Sequence, residues 1–328
     1  MAFSAILETT SFHKDIVPIV ENSLNTLITM LKDDDKYVRV TCSWCIERVA
    51  EYFPEVLANE KNCSMIVECV LGHLKSSNKI VTHLCNSLHF FSTYIKPHPE
   101  QVSSNILNNN ISLLDLISKY MDVLLKNLLQ TAFDPKAYNP DENVALSSFF
   151  AICSLMENAA NDTRVILHQF FPSLYEALKS TTFSQNFKSK EIQYCYQSYI
   201  ASAIESAICS ERIQLTRDQT KAIIDLIIQT FQIREGVYEE GILAISAIAL
   251  CNNFLFTYKA LGENFAEYMD QFGVYLIYTL KNVQEIAVCR IAIHGTSDLV
   301  RSLKEKFIPF VDQILPLILD IIRVMFKF

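Results

Sequence analysis

Glycine is nearly absent: the chain of 328 residues contains 6, about 2% where soluble proteins average about 7%. Glycine supplies most positive-φ turns, so a fold of many tight hairpins is disfavoured against long helices joined by short turns. Proline is also scarce, at 9, and tryptophan is reduced to the single Trp44. Basic residues are outnumbered, 28 Lys and Arg against 36 Asp and Glu, giving a net charge of −8. Nucleic-acid binding requires clustered cations to neutralise phosphates, and none stand together here, so basic partners are expected. "MAFSAILETTSFHKD" has no basic leader of the secretory kind. Uninterrupted apolar runs are missing too. An Asn pair breaks "GILAISAIALCNNFLFTY" (241–258), and Asp312, Asp320 and Arg323 break "IPFVDQILPLILDIIRVMF" (308–326). Both are expected as buried helices, with no membrane insertion.

The motifs of catalysis are equally lacking. The seven histidines form no HExxH, and there is neither a nucleophile elbow nor a phosphate-cradling glycine loop. No enzyme activity, metal or cofactor is expected. The ten cysteines are scattered through apolar segments, as small buried hydrophobes of a reducing compartment are. "CSWC" (Cys42 and Cys45) alone has motif spacing. A thioredoxin-type site would need a strand before it, and a zinc site a second ligand pair, so both thiols are expected in the packed face of a helix.

What is present is a repeat. "DIVPIVENSLNTLITMLKD" (15–33), "HQFFPSLYEALKS" (168–180), "ENFAEYMDQFGVYLIYTLKN" (263–282) and "KFIPFVDQILPLILDII" (306–322) share a leading aromatic or isoleucine, often a proline, and apolar residues at helical spacing. Proline is tolerated in a first turn, so each reads as the first helix of a pair. Second amphipathic helices follow at 37–53, 191–209, 237–255 and 285–303. Further helices are expected within 64–95, at 111–132 and 141–160, and at 216–232, where Thr216 and Gln219 fit a capping box. The segments around 97–110 and 133–140 read as turns. A pair every 40 to 50 residues or so is the HEAT and armadillo period. The expected fold is an all-α HEAT-repeat α-solenoid, a right-handed superhelix of antiparallel helix pairs. Residues 1–328 would form one array of about six pairs with half-repeats at both ends. Neither end has the polar cap that a solenoid needs for solubility, so a fragment of a longer array is expected.

In "LKDDDKYVRVTCSWCIERVAEYFPEVL" (31–57), Asp33, Asp34 and Asp35 suit a helix start, and Arg39 could pair with a carboxylate of an adjacent unit. Trp44 could be core or an exposed anchor for Arg and Lys stems.

With what precedes it, "MAFSAILE…DIVPIVENSLNTLITMLKDDDKYVRVTCSWCIERVAEYFPEVL" (1–57), that stretch resembles the importin-β (karyopherin-β) family, whose corresponding repeat has a Met-Ala-Phe-Gly start, a Pro-led first helix, a Lys-Asp turn, Val-Arg and a Trp. The likeness returns at "VYEEGILAISAIA", "YMDQFGVYLIYTLKN" and "VCRIAIHGTSDLVRSL…FIPFVDQILPLIL". The resemblance implies the middle part of a nuclear import receptor moving between cytoplasm and nucleus through the pore. On the concave face it implies that Trp44, Glu47, Glu51 and Asp33–Asp35 meet the basic segment of importin-α or a basic cargo. Asn86 stands where the family has a second tryptophan. On the convex face it implies that Phe310 and Leu317, with Ile277 as a neighbour, receive Phe-Gly repeats of nucleoporins. Ran-GTP is implied as a partner of the full-length protein. Rival readings are another HEAT scaffold, such as a phosphatase regulatory subunit or a transportin-like receptor, and an enzyme on a helical scaffold.

Overall fold

The computed structural model describes residues 7–8, 14–94, 113–139, 142–184, 187–210, 212–234, 239–250, 261–283 and 286–325. Among them every regular element is a helix, and the chain divides into two compact units, 1–170 and 171–328. The first contains α1 (Val17–Met30), α2 (Lys36–Tyr52), α3 (Glu60–His73), α4 (Asn78–Tyr94), α5 (Leu113–Ser118), α6 (Met121–Ala132) and α7 (Val144–Glu157). The division falls within α8 (Arg164–Phe183). The second unit continues with α9 (Lys190–Cys209), α10 (Arg217–Arg234), α11 (Glu239–Leu250), α12 (Met269–Lys281), α13 (Ile286–Leu303) and α14 (Ile308–Met325).

Helix starts follow from local chemistry. Asp35 caps α2 by accepting the Tyr37 amide at 2.7 Å. Thr216 and Gln219 close the expected box before α10: Thr216 N–H donates to Oε1 of Gln219 (2.9 Å), and Gln219 N–H to Oγ1 of Thr216 (3.2 Å). Apolar spacing then sets which side is buried. Cys42, Cys45, Ile46 and Val49 of α2 and Leu84, Leu88 and Phe91 of α4 are all buried. Both "CSWC" thiols therefore lie in a packed helix face, where burial pushes them above the ordinary thiol range.

Second helices pack side by side, α2 on α4 and α4 on α7 in one unit, α9 on α11 and α11 on α13 in the other. First helices cover one side of each layer: α1, α3 and α6 back α2, α4 and α7, while α10 and α12 back α11 and α13. The fold is the all-α HEAT-repeat solenoid read from the sequence. At Gly295 the helices approach closely: a Cβ there would lie 3.1 Å from Cγ2 of Ile242 across the α11–α13 contact, so that side chain would have to shift by a few tenths of an ångström.

Two expectations about the helices are adjusted. The helix expected over 111–132 is two, α5 and α6, because the Tyr120 amide turns back to the Ile117 carbonyl (2.9 Å) and ends the first. α8 begins at Arg164 rather than 168, which leaves Pro172 inside the helix and not near its start. Pro172 is exposed, and its missing N–H removes one rung of the helix's own hydrogen bonding. The turn around 97–110 lies outside the described residues, as do 237–238 and 251–255 of the second helix expected over 237–255. Among the described residues, no helix is long and apolar enough to cross a membrane.

Candidate binding surfaces

The side of the α2–α4–α7 layer turned away from the first helices is where the candidate residues fall. Trp44 is half-buried on α2, and Glu51 lies seven residues on, two turns along the same face. Asp33, Asp34 and Asp35 are exposed at the turn into α2. Two of the three carboxylates also shape that turn: Asp33 accepts the Asp35 amide (2.8 Å) and Asp35 the Tyr37 amide. Arg39 does not reach an adjacent unit. Its Nη1 donates to the carbonyls of Asp33 (2.6 Å) and Asp34 (2.8 Å), tying the turn to the helix it starts.

Glu47, expected to face a ligand, is instead 5% exposed and turned toward α4. Asn86 Nδ2 donates to Glu47 Oε1 at 3.1 Å, Arg48 Nη2 pairs with the same oxygen at 3.0 Å, and His83 Nδ1 makes a very short contact to Oε2. Burial on its own would push this carboxyl up. The hydrogen bond and charge of His83, the amide of Asn86 and the charge of Arg48 outweigh that and hold it below its ordinary value. Arg48 also binds Glu51 at 2.5 Å. Glu51 nonetheless sits above its ordinary value, because burial and the charges of Glu47 and Glu8 together exceed the pull of Arg48. The layer thus keeps its negative charge partly for itself: Glu47 ties α2 to α4, and Glu51, paired with Arg48, remains half-exposed two turns along the helix from Trp44.

Sequence reasoning missed two features here. The Glu47–His83–Asn86 contact joins residues 36 and 39 positions apart, and neither spacing shows in a linear reading. Phe150 exposes its ring on the open side of α7, at 47% accessibility, while Phe149 beside it is buried at 1%. That signal was available, since adjacent helical residues point about 100° apart and only one of "FF" can face the core.

In the second unit, α12 and α14 touch, and Ile277 of α12 with Phe310 and Leu317 of α14 are all half-buried. The Phe310 ring packs on Phe307, centroids 6.1 Å apart, and stays partly accessible.

A family model for importin subunit beta-1-like TPR repeats matches residues 64–325, and a HEAT-repeat model matches 24–53. The chain belongs to the importin subunit beta-1-like family. The importin subunit beta-1 of Arabidopsis thaliana is 23% identical over 327 residues, which cover 96% of this chain and 35% of the relative. That of Schizosaccharomyces pombe is also 23% identical, over 95% of this chain and 34% of its own length. The chain therefore spans about a third of these importin relatives. A crystal structure of importin beta in an ammonium sulfate condition shares the fold with a TM-score of 0.78, at 22% identity over 97% of this chain and 35% of that one. Yeast Kap95 in a complex with Nup1 gives 0.70 at 19% identity, covering 98% of this chain and 35% of that one. Kap95p in a structure concerned with its binding to RanGDP gives 0.70 at 18%, covering 97% and 34%.

Proposed function

We propose that this chain is a partner-binding part of a nuclear import receptor, a non-enzymatic solenoid working between cytoplasm, pore and nucleus. Its second-helix side receives a basic segment of importin-α or of a cargo. The observation that carries this reading is Trp44, half-buried on the open side of α2 with the Glu51 carboxylate two turns along and the exposed Asp33–Asp35 turn at the helix start. An indole gives a Lys or Arg stem an apolar bed, while carboxylates at the rim attract it over a screening length of about 8 Å. Glu47 serves this surface indirectly, by fixing α2 against α4. Residues 1–328 act as one array within a longer receptor, and Ran-GTP and nucleoporins are partners of that receptor. The Kap95 complexes with Nup1 and with Ran support those two partners by kinship.

Titration with a fluorescently labelled basic peptide tests the reading. Trp44→Ala is expected to weaken binding by about 2 kcal/mol with the fold retained. Unchanged affinity together with a lower melting temperature would make Trp44 a core residue and remove the anchor. Reversing Asp33, Asp34 and Asp35 to Lys is expected to slow association far more than it speeds dissociation, because rim charges steer. An association rate of the unmodified chain that does not fall with added salt would refute steering.

On the first-helix side, the α12–α14 groove of Ile277, Phe310 and Leu317 accepts a Phe-Gly segment. Phe310 is half-buried, so its removal should cost little stability. Phe310→Ala is expected to abolish Phe-Gly peptide shifts in an NMR titration at unchanged melting temperature. Equal shifts in both proteins would exclude the groove.

A further inference from the structure

The second unit carries a stripe of the opposite charge. We infer that Arg290, His294 and Arg301 of α13 form a docking stripe for an acidic, extended segment of a partner protein. The inference goes beyond the basic-segment reading of the first unit and does not depend on it. The three residues fall at i, i+4 and i+11, so at about 100° per residue they lie within about 40° of one another around the helix. All three are exposed. The neighbours of α13 fix its buried directions. Cys289 Sγ donates to the Thr279 and Asn282 carbonyls at the end of α12 (3.9 and 3.2 Å), and Gly295 faces Ile242 of α11. Each cation lies about 100° or more around the helix from both Cys289 and Gly295, so the stripe points away from α11 and α12 alike.

Charge selects the occupant. Among the described residues, no side chain accepts a hydrogen bond or forms an ion pair with Arg290, His294 or Arg301. The acids of the surrounding elements are placed elsewhere. Asp298 of α13 itself is 6% exposed and accepts the Ser246 hydroxyl of α11 at 3.4 Å. Glu263 is shared by Lys304 and Lys306 at 3.6 and 3.8 Å, and Glu267 is held by Arg217 at 3.1 Å. Glu239 and Glu240 at the start of α11 and Asp270 at the start of α12 make no pair with the stripe. Glu305 follows Arg301 by four residues, but the chain has left the helix by then, through Lys304 at φ 52°. An incoming carboxylate therefore meets two guanidinium forks and an imidazole without displacing an internal partner, and a guanidinium fork matches a carboxylate in two parallel hydrogen bonds.

Geometry sets the spacing. At about 1.5 Å of rise per residue, His294 lies about 6 Å along the axis from Arg290, and Arg301 about 16 Å. An extended segment advances about 3.3 Å per residue, so carboxylates at its positions 1, 3 and 6 come level with the three cations in turn. Length also separates this occupant from a nucleic acid. A polynucleotide would carry its phosphates past both ends of so short a stripe, along a chain whose net charge is −8. A short acidic segment keeps its charge within reach of the stripe, where a screening length of about 8 Å lets the local cations dominate.

NMR titration of the full chain tests the stripe, using a peptide with glutamates at positions 1, 3 and 6, an isomer with three adjacent glutamates, and a single-stranded oligouridylate. The spaced peptide is expected to shift the α13 amides and to bind more weakly as salt is added. Trp44 is the only tryptophan, so its emission reports the first unit separately and should stay unchanged. Arg290→Ala and Arg301→Ala are each expected to weaken the spaced peptide about three- to fivefold, and together more than tenfold, at unchanged melting temperature because both side chains are exposed. The adjacent-glutamate isomer should bind about threefold more weakly than the spaced one. No shift in α13, a change in Trp44 emission instead, or equal affinity for the folded double variant would overturn the stripe. Equal binding of the two isomers would overturn the extended, spaced segment as its occupant. Tighter binding of the oligouridylate, lost in the double variant, would overturn the acidic protein segment in favour of a nucleic acid.

Discussion

Glu47→Ala is expected to lower the stability of the first unit by about 3 to 5 kcal/mol, the usual cost of removing one member of a buried charged cluster. The carboxylate is 5% exposed and is the shared acceptor of Asn86, Arg48 and His83. Removing it leaves three polar groups partly desolvated and unlinks α2 from α4, whereas Glu51→Ala at the half-exposed edge should cost well under half as much. Urea unfolding followed by circular dichroism measures both. A Glu47→Ala loss below about 1 kcal/mol would show that the cluster is not a structural clamp.

The same residue sets a pH dependence with a definite sign. Its folded-state value is depressed, so the unfolded chain binds the proton more readily than the native one. The stabilisation is therefore present in full above the unfolded value of about 4.3 and is lost as pH falls through the folded value. Glu47→Gln removes the titrating group but keeps an amide in its place. The stability gap between the unmodified chain and Glu47→Gln should narrow as pH is lowered from 6 to 3, and a gap independent of pH over that window would exclude the assignment.

The legibility of the chain in its sequence followed the range of the forces involved. Helix pairs were readable because apolar spacing and caps act within a few residues, as at Thr216–Gln219 and Asp35. The break at Tyr120 was not, because "ISLLDLISKYMDVLLKNLLQTA" keeps its apolar period through a point where the backbone makes an i−3 bond. Glu47 shows the limit most clearly. Its position on α2 is plain from sequence, but whether it points at water or at its neighbour depends on His83 and Asn86, about one repeat away. Asn86, a departure from the tryptophan expected by resemblance, is part of what turns Glu47 inward: a short amide reaches the carboxylate at 3.1 Å and satisfies it.

In the second unit, Phe272→Ala is expected to cost about 3 to 5 kcal/mol, the range for deleting a buried Phe whose site cannot collapse. Phe272 and Phe265 are both 0% exposed and meet edge to face, centroids 6.0 Å apart at 88°. The pair joins the start of α12 to the 3-10 turn Gly262–Tyr268 before it, which in turn contacts α13. Stability in a repeat array is close to a sum of neighbour terms, so the loss should be concentrated near the deletion. Hydrogen exchange should quicken most in α12 and α13 and least in α2 and α4, and uniform quickening over the whole chain would refute that locality. Phe272→Leu should recover more than half of the loss, because it restores most of the volume. The consequence for binding separates scaffold from contact. α12 carries Ile277, so Phe272→Ala should weaken Phe-Gly binding together with stability, and that weakening should shrink when temperature is lowered and the helix is refolded. Phe310→Ala should weaken it at every temperature with the melting point unchanged. If both variants behaved as Phe272→Ala does, Phe310 would be ordinary core between α12 and α14.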